Sequence, residues 1–165
     1  MIKLLFVVAF FSSCSGDKLA YVDIAKLFES FNYKKVLTKE YDQIKMSRQR
    51  IIDSLEYDLN RMATEIEKKS KIDKNTEVEF EEKRKRVYTI EKQYEEDNQI
   101  LITSYNEKII TQLNSYIKEY GKKNGYKFIL GTDNKGTLLY GDEGLDITDK
   151  VTIYVNDRFQ GERVK

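Results

Sequence analysis

The 165-residue chain has no proline, no histidine and a single cysteine, and 35% of its side chains are charged for a formal net charge of +1. That composition closes most routes to metal binding and nucleophilic catalysis, and it lacks the basic excess of a nucleic-acid binder. Every glycine except Gly16 lies at or beyond Gly121, so residues 17–120 contain neither of the two residues that most often stop a helix. A charged run of that length predicts long exposed helices rather than a compact globule.

The first segment reads as an export signal over 1–13. Lys3 supplies a short positive region, residues 4–11 are unbroken apolar, and Ser12-Ser13 place small side chains before Cys14. The apolar stretch is too short to span a membrane. The Phe11-Ser12-Ser13-Cys14 junction resembles a bacterial lipobox of the relaxed form common in Bacteroidetes lipoproteins. That resemblance implies cleavage before Cys14, lipid on its thiol and acylation of the new amine. The other reading is a thiol left over from a simple signal peptide. A cysteine at the end of an apolar leader is a poor core residue, and this one has no partner for a disulfide. Lipidation at Cys14 is therefore the expectation, with 14–18 as tether. Two or more acyl chains anchor stably at about 0.8 kcal/mol per buried methylene. Once Lys3 is removed, 28 basic side chains balance 28 acidic ones.

Leu19-Ala20-Tyr21-Val22-Asp23-Ile24 is rich in strand formers and predicts a strand. Asp23 can cap a short helix through Ala25, Leu27 and Phe28, with a bend near 30–32. A long helix follows from about Tyr33, with Tyr41, Ile44, Ile51, Leu55, Leu59, Met62 and Ile66 at steps of three, four or seven. That stripe has the width of a coiled-coil seam. It fails at 68–75, where Lys68, Lys69, Lys71 and Lys74 cluster. Thr76-Glu77-Val78-Glu79 then has the pattern of a capping box. The second long helix carries Phe80, Val87, Ile90, Tyr94, Leu101, Tyr105, Ile109, Leu113 and Ile117. Glu79–Lys83, Glu81–Lys85 and Glu82–Arg86 are placed as i,i+4 pairs, each contributing about 0.2–0.5 kcal/mol. Two such helices with a short connection predict an antiparallel hairpin over 33–121, reaching roughly 60 Å at 1.5 Å per residue.

Asn124-Gly125 ends the second helix, with Gly125 as a left-handed cap. A strand over 126–130, a turn over 131–136 and a return strand over 137–140 are expected next. Asp146-Ile147-Thr148-Asp149 opens a last helix bearing Val151, Ile153, Tyr154 and Val155, with a frayed tail from Phe159. A body of 19–32 and 122–165 is small to stand alone, and its sheet edges need covering. Oligomerisation through the body answers both needs.

The order Leu19-Ala20-Tyr21-Val22-Asp23, a glycine-free charged hairpin, Gly125-Tyr126-Lys127-Phe128-Ile129-Leu130, Leu138-Leu139-Tyr140 and Asp146-Ile147-Thr148 resembles the Skp/OmpH family over nearly the whole mature chain. The resemblance implies a mostly α fold: a long antiparallel coiled-coil hairpin, or tentacle, on a small α+β, barrel-like trimerisation body. It further implies a homotrimer holding unfolded outer-membrane β-barrel proteins in the periplasm, without ATP, cofactor or catalysis. Tyr21, Val22, Phe128, Ile129, Leu138 and Leu139 are the residues expected at the oligomer contact. Two features depart from the soluble members. The Cys14 junction would tether this chain to a membrane, the outer one by preference. The neutral mature charge contrasts with their strongly basic surfaces, so lipopolysaccharide binding is not carried over.

Other features have plainer readings beside functional ones. The four tip lysines either attract acidic client segments or anionic headgroups, or keep a turn soluble. Tyr94, Tyr105 and Tyr116 recur every eleven residues and keep one helical face, which serves client contact or seam packing. Asp133-x-x-Gly136 lacks the spacing and terminal glutamate of a calcium loop and reads as a turn. The rival to the chaperone is a structural role, a lipoprotein spacer or adaptor whose coiled coil meets a folded partner.

Overall fold

The computed structural model describes residues 17–133 and 136–161. The expected leader and Cys14 lie outside the described residues, as does the tail beyond 161. Strand β1 (Leu19–Asp23) leads directly into helix α1 (Ile24–Ser30), because the Asp23 carboxylate accepts the Lys26 N–H at 2.9 Å and caps the helix as expected. Phe31 is extended and breaks the helix before α2 (Asn32–Glu67). Helix α3 (Lys74–Lys123) returns antiparallel to α2 and feeds β2 (Phe128–Thr132). A single 3-10 turn at Glu143–Leu145 precedes α4 (Thr148–Gly161).

The two strands pair in parallel, Leu19 opposite Phe128 through Asp23 opposite Thr132, so the whole hairpin is the crossover between them. Lys127 N donates to Lys18 O at 2.9 Å and extends the pairing by one link. Gly125, at φ 71°, lets α3 turn off into β2 without the steric cost of a side chain. The strand is displaced from the expected 126–130, since Tyr126 N is still bonded to Gly121 O at 2.9 Å in the helix cap. Gly131 and Thr132 belong to β2 and not to a turn.

The expected return strand over 137–140 does not form. After Gly136 (φ 101°) the chain turns toward Tyr21 instead of running back along β2. A Cβ added at Gly141 would stand 2.6 Å from the Tyr21 ring, so glycine is required where the segment crosses β1. Leu139 and Tyr140 are left 92% and 83% exposed. With no strand beside them among the described residues, they have no ladder to join.

The core sits where the hairpin enters the body. Leu27, Phe31, Val151 and Val155 are fully buried together with Ile109, Leu113 and Tyr116 of α3. Burial of each such aliphatic or aromatic side chain contributes about 1.5–3 kcal/mol. The last turns of α3, through Tyr120 and Gly121, therefore pack as part of the body. Phe31 makes edge contacts to Tyr116 at 6.1 Å and to Phe159 at 5.7 Å. Phe159 is helical and packed, where fraying was expected. Ile153 faces water, because the inward side of α4 carries Val151, Tyr154, Val155 and Phe159.

Asn156 joins the elements at the break between α1 and α2. Its side chain accepts from Asn32 N at 2.8 Å and donates to Ser30 O at 3.1 Å. It thereby satisfies the backbone groups exposed by the α1–α2 break, where Phe31 offers no cap. Thr148 does the same for β1, accepting the Asp23 N–H at 2.9 Å.

Candidate functional site

Three surfaces can meet a partner: one face of the sheet, the flanks of the hairpin and its tip. Register puts Leu19, Tyr21, Phe128 and Leu130 on one face of the two-stranded sheet, and Ala20, Val22 and Ile129 on the other. The second face packs inward, with Val22 only 1% exposed and Ile129 against Gly121 of α3. The first face is open: Phe128 is 63% exposed and Leu130 51%. Leu139 and Tyr140 stand in water after it, while Leu138 is half-buried beside Gly141. Of the six residues expected at an oligomer contact, Phe128 and Leu139 are thus free to make one. Tyr21 and Leu138 are partly available, and Val22 and Ile129 support the sheet from behind. Leu19, Leu130 and Tyr140 join the open set, and alternation along a strand was the signal that would have found them. Partial desolvation, then the nearby Asp146, Glu143 and Asp142 carboxylates, push the Tyr21 hydroxyl above its ordinary pKa.

The hairpin has two unlike parts. Near the body, Leu37 of α2 and Tyr105, Ile109, Leu113, Tyr116 and Tyr120 of α3 are buried. The Tyr105 hydroxyl donates to Glu40 at 2.7 Å, and burial followed by that bond pushes its pKa up to about 12. Tyr154 of α4 likewise donates to Glu119 at 2.8 Å. That bond, with Arg158 nearby, holds the Glu119 carboxyl below its usual range. Farther out, Val87 is the one buried side chain of the seam among the described residues, and the rest of the seam is partly buried. Tyr94 belongs to that half-buried set, whereas Tyr105 and Tyr116 pack in the core.

The seam of α2 runs through Ile44, Arg48, Ile52 and Leu55. Ile51 points to water, where it was expected to face the partner helix. Steps of four from Ile44 reach Ile52 only through the charged Arg48, which is why the apolar pattern favoured its neighbour. Of the i,i+4 pairs expected on α3, Glu79–Lys83 forms at 3.2 Å, while Glu81 turns to Arg84 at 2.6 Å.

At the tip, Asp73 caps α3, accepting Thr76 N at 3.0 Å and the Thr76 hydroxyl at 2.6 Å. Thr76 was expected to be the cap. Asp73 wins because its carboxylate is the stronger acceptor at the positive end of a helix. Lys68, Lys69, Lys71 and Lys74 are all exposed around the half-open Ile72. Among the described residues, no group of three or more His, Cys, Asp or Glu could hold a metal ion, and no helix is long and apolar enough to cross a membrane.

A small body with an open apolar sheet face, and a long hairpin crossing between its strands, defines a hairpin-and-body protein. The family model described as outer membrane protein, OmpH-like, matches residues 18–154, and the chain belongs to that family. A crystal structure of an OmpH-like protein from Caulobacter crescentus, provisionally named an outer membrane chaperone, has the same fold. The TM-score is 0.75 at 13% sequence identity, over 87% of this chain and 86% of that one. No curated protein sequence matches the chain.

Proposed function

We propose that this chain is an ATP-independent holdase of the periplasm, which keeps unfolded outer-membrane β-barrel proteins from aggregating in a space enclosed by several hairpins. The observation that carries this reading is the division of the chain. An open apolar sheet face suits assembly, and an arm with little core of its own suits holding without a fixed pocket. Membership of the OmpH-like family supports it. In this reading three copies join through Phe128, Leu130, Leu139 and their neighbours, and the hairpins project from the joined bodies. Client contacts are many and weak, so release needs no energy source. Lipid on Cys14 tethers the trimer, most naturally to the outer membrane, through 14–18. Headgroups or acidic client segments would meet Lys68, Lys69, Lys71 and Lys74 at the tip.

Assembly is tested by sedimentation of the protein freed of lipid. Phe128→Asp should dissociate the trimer, because an unpaired charge is costly to bury. A wild-type monomer that is stable and folded would sink the reading. Anchoring is tested by labelled lipid precursor, which should mark the wild type and leave Cys14→Ala unmarked. The spacer reading requires a folded partner captured at the tip and no protection of unfolded clients.

A further inference from the structure

The body separates its charges. Where α3 turns into β2, beside the start of β1, Lys18, Lys122, Lys123 and Lys127 are all exposed. Short bonds hold that corner together. Lys127 N donates to Lys18 O at 2.9 Å. The Lys18 ammonium donates to Asn124 O at 3.0 Å and lies 4.1 Å from the Tyr126 ring centroid. Toward the other end of the sheet, Asp142, Glu143 and Asp146 lie near Tyr21, and Asp149 meets Lys26 at 2.8 Å.

Lysines in the last turn of a helix are ordinary, since they complement its negative end. That accounts for Lys122 and Lys123, but Lys18 and Lys127 lie outside α3. Residues 120–128 contain three lysines and no acid, and Asp17 is the acid beside Lys18. Glu119, whose charge Lys123 feels, is already engaged by Tyr154 at 2.8 Å and by Arg158 at 3.2 Å. Among the described residues, none of the four lysines forms an ion pair. In a mature chain that is neutral as a whole, this corner is a cationic surface without its counter-charge in the fold.

Its place in the molecule points to the partner. The corner is the C-terminal end of α3, whose 50 residues put it roughly 75 Å from the tip. It is also where the chain leaves toward Cys14. Cys14 is four positions before Lys18, so even a fully extended link keeps the two within about 14 Å. That is under two screening lengths at physiological salt, each about 8 Å.

We propose that Lys18, Lys122, Lys123 and Lys127 form a docking surface for a bilayer containing anionic phospholipid. The body then rests on the membrane and the hairpins point away from it. In that arrangement the tip lysines face acidic client segments and not the headgroups beside the tether. The orientation rests on the lipid anchor at Cys14. The lysine surface does not, and it is measured on protein without lipid.

Vesicle co-sedimentation tests it, with the chain expressed from residue 14 as Cys14→Ser. The protein should pellet with an equal mixture of phosphatidylglycerol and phosphatidylcholine, and not with phosphatidylcholine alone. High salt should release it. Each lysine close to an anionic surface contributes about fivefold in partition, equivalent to about 1 kcal/mol. Lys122→Gln, Lys123→Gln and Lys127→Gln together should therefore weaken binding by roughly a hundredfold. Arginine at the same three positions should preserve it. Lys68, Lys69, Lys71 and Lys74 changed together to Gln should leave binding as it is. Undiminished binding by the triple glutamine variant would overturn the proposal. So would loss of binding in the tip variant instead, or a wild type that binds neither vesicle or both alike. Absence of labelled lipid from the wild-type protein would overturn the orientation and leave the docking surface standing.

Discussion

The inner and outer halves of the hairpin are built from similar sequence and hold together differently. Both are glycine-free, highly charged helices with an apolar residue every three or four positions. The inner half is backed by α1 and α4, so Ile109, Leu113 and Tyr116 are covered on more sides than one neighbouring helix could manage. The outer half has only its partner helix, and two helices alone leave its seam residues, Val87 apart, partly in water. Burial depends on what a helix packs against as well as on its pattern.

That contrast is broken or sharpened by substitution on its two sides. Leu113→Ala should cost about 2–5 kcal/mol in thermal or denaturant unfolding, as large-to-small changes in packed cores do. A loss below about 1 kcal/mol would mean that the inner seam is no better packed than the outer. Asn156→Leu should cost about 1–3 kcal/mol, because the part-buried Ser30 carbonyl and Asn32 N–H would lose this partner. Leu59→Ala in the outer arm should cost only about 1 kcal/mol, since part of that side chain already meets water.

Two titrations separate the halves further. The buried Tyr105 hydroxyl is raised to about 12, whereas a tyrosine in the unfolded chain ionises near ~10. Its contribution is complete below about pH 10 and is lost as the pH climbs toward 12, so Tyr105→Phe should flatten the decline of the urea midpoint in that window. At the tip, bonds from the Thr76 hydroxyl and backbone hold the Asp73 carboxyl below its ordinary range. Its cap is complete above about pH 4, the unfolded value, and is lost as the pH falls through the lower folded one. Proton resonances of residues 74–79 should therefore broaden in acid before those of the body, and should do so at neutral pH in Asp73→Ala.

Local signals were legible in the sequence, and distant pairings were not. The Asp23 cap, the Gly125 turn, the hairpin and its tip each rest on a few adjacent residues whose conformational preferences decide the outcome. The parallel pairing of β1 with β2 joins residues more than a hundred positions apart, and a strand pattern alone does not name its partner. Residues 137–140 show the same limit, since Leu138, Leu139 and Tyr140 have strand character and no strand beside them among the described residues. Arg48 escaped because a search for apolar periodicity passes over a charged residue at a seam position. Asn156 gave no signal at all, for nothing in its neighbours marks the break it repairs. Of the residues expected at an oligomer contact, Phe128 and Leu139 stand open, whereas Val22 and Ile129 turned inward because two-residue alternation assigns them to the opposite face.

The central claim is that the outer arm does the holding and the body does the assembling. It is tested most directly by light scattering from an unfolded outer-membrane barrel diluted into buffer with the full mature protein, or with a variant whose residues 61–88 are replaced by a short turn. The account predicts that the full protein suppresses aggregation with or without ATP. The shortened variant should remain a trimer by sedimentation and give no protection. Equal protection by the two proteins, or none by either, would contradict it.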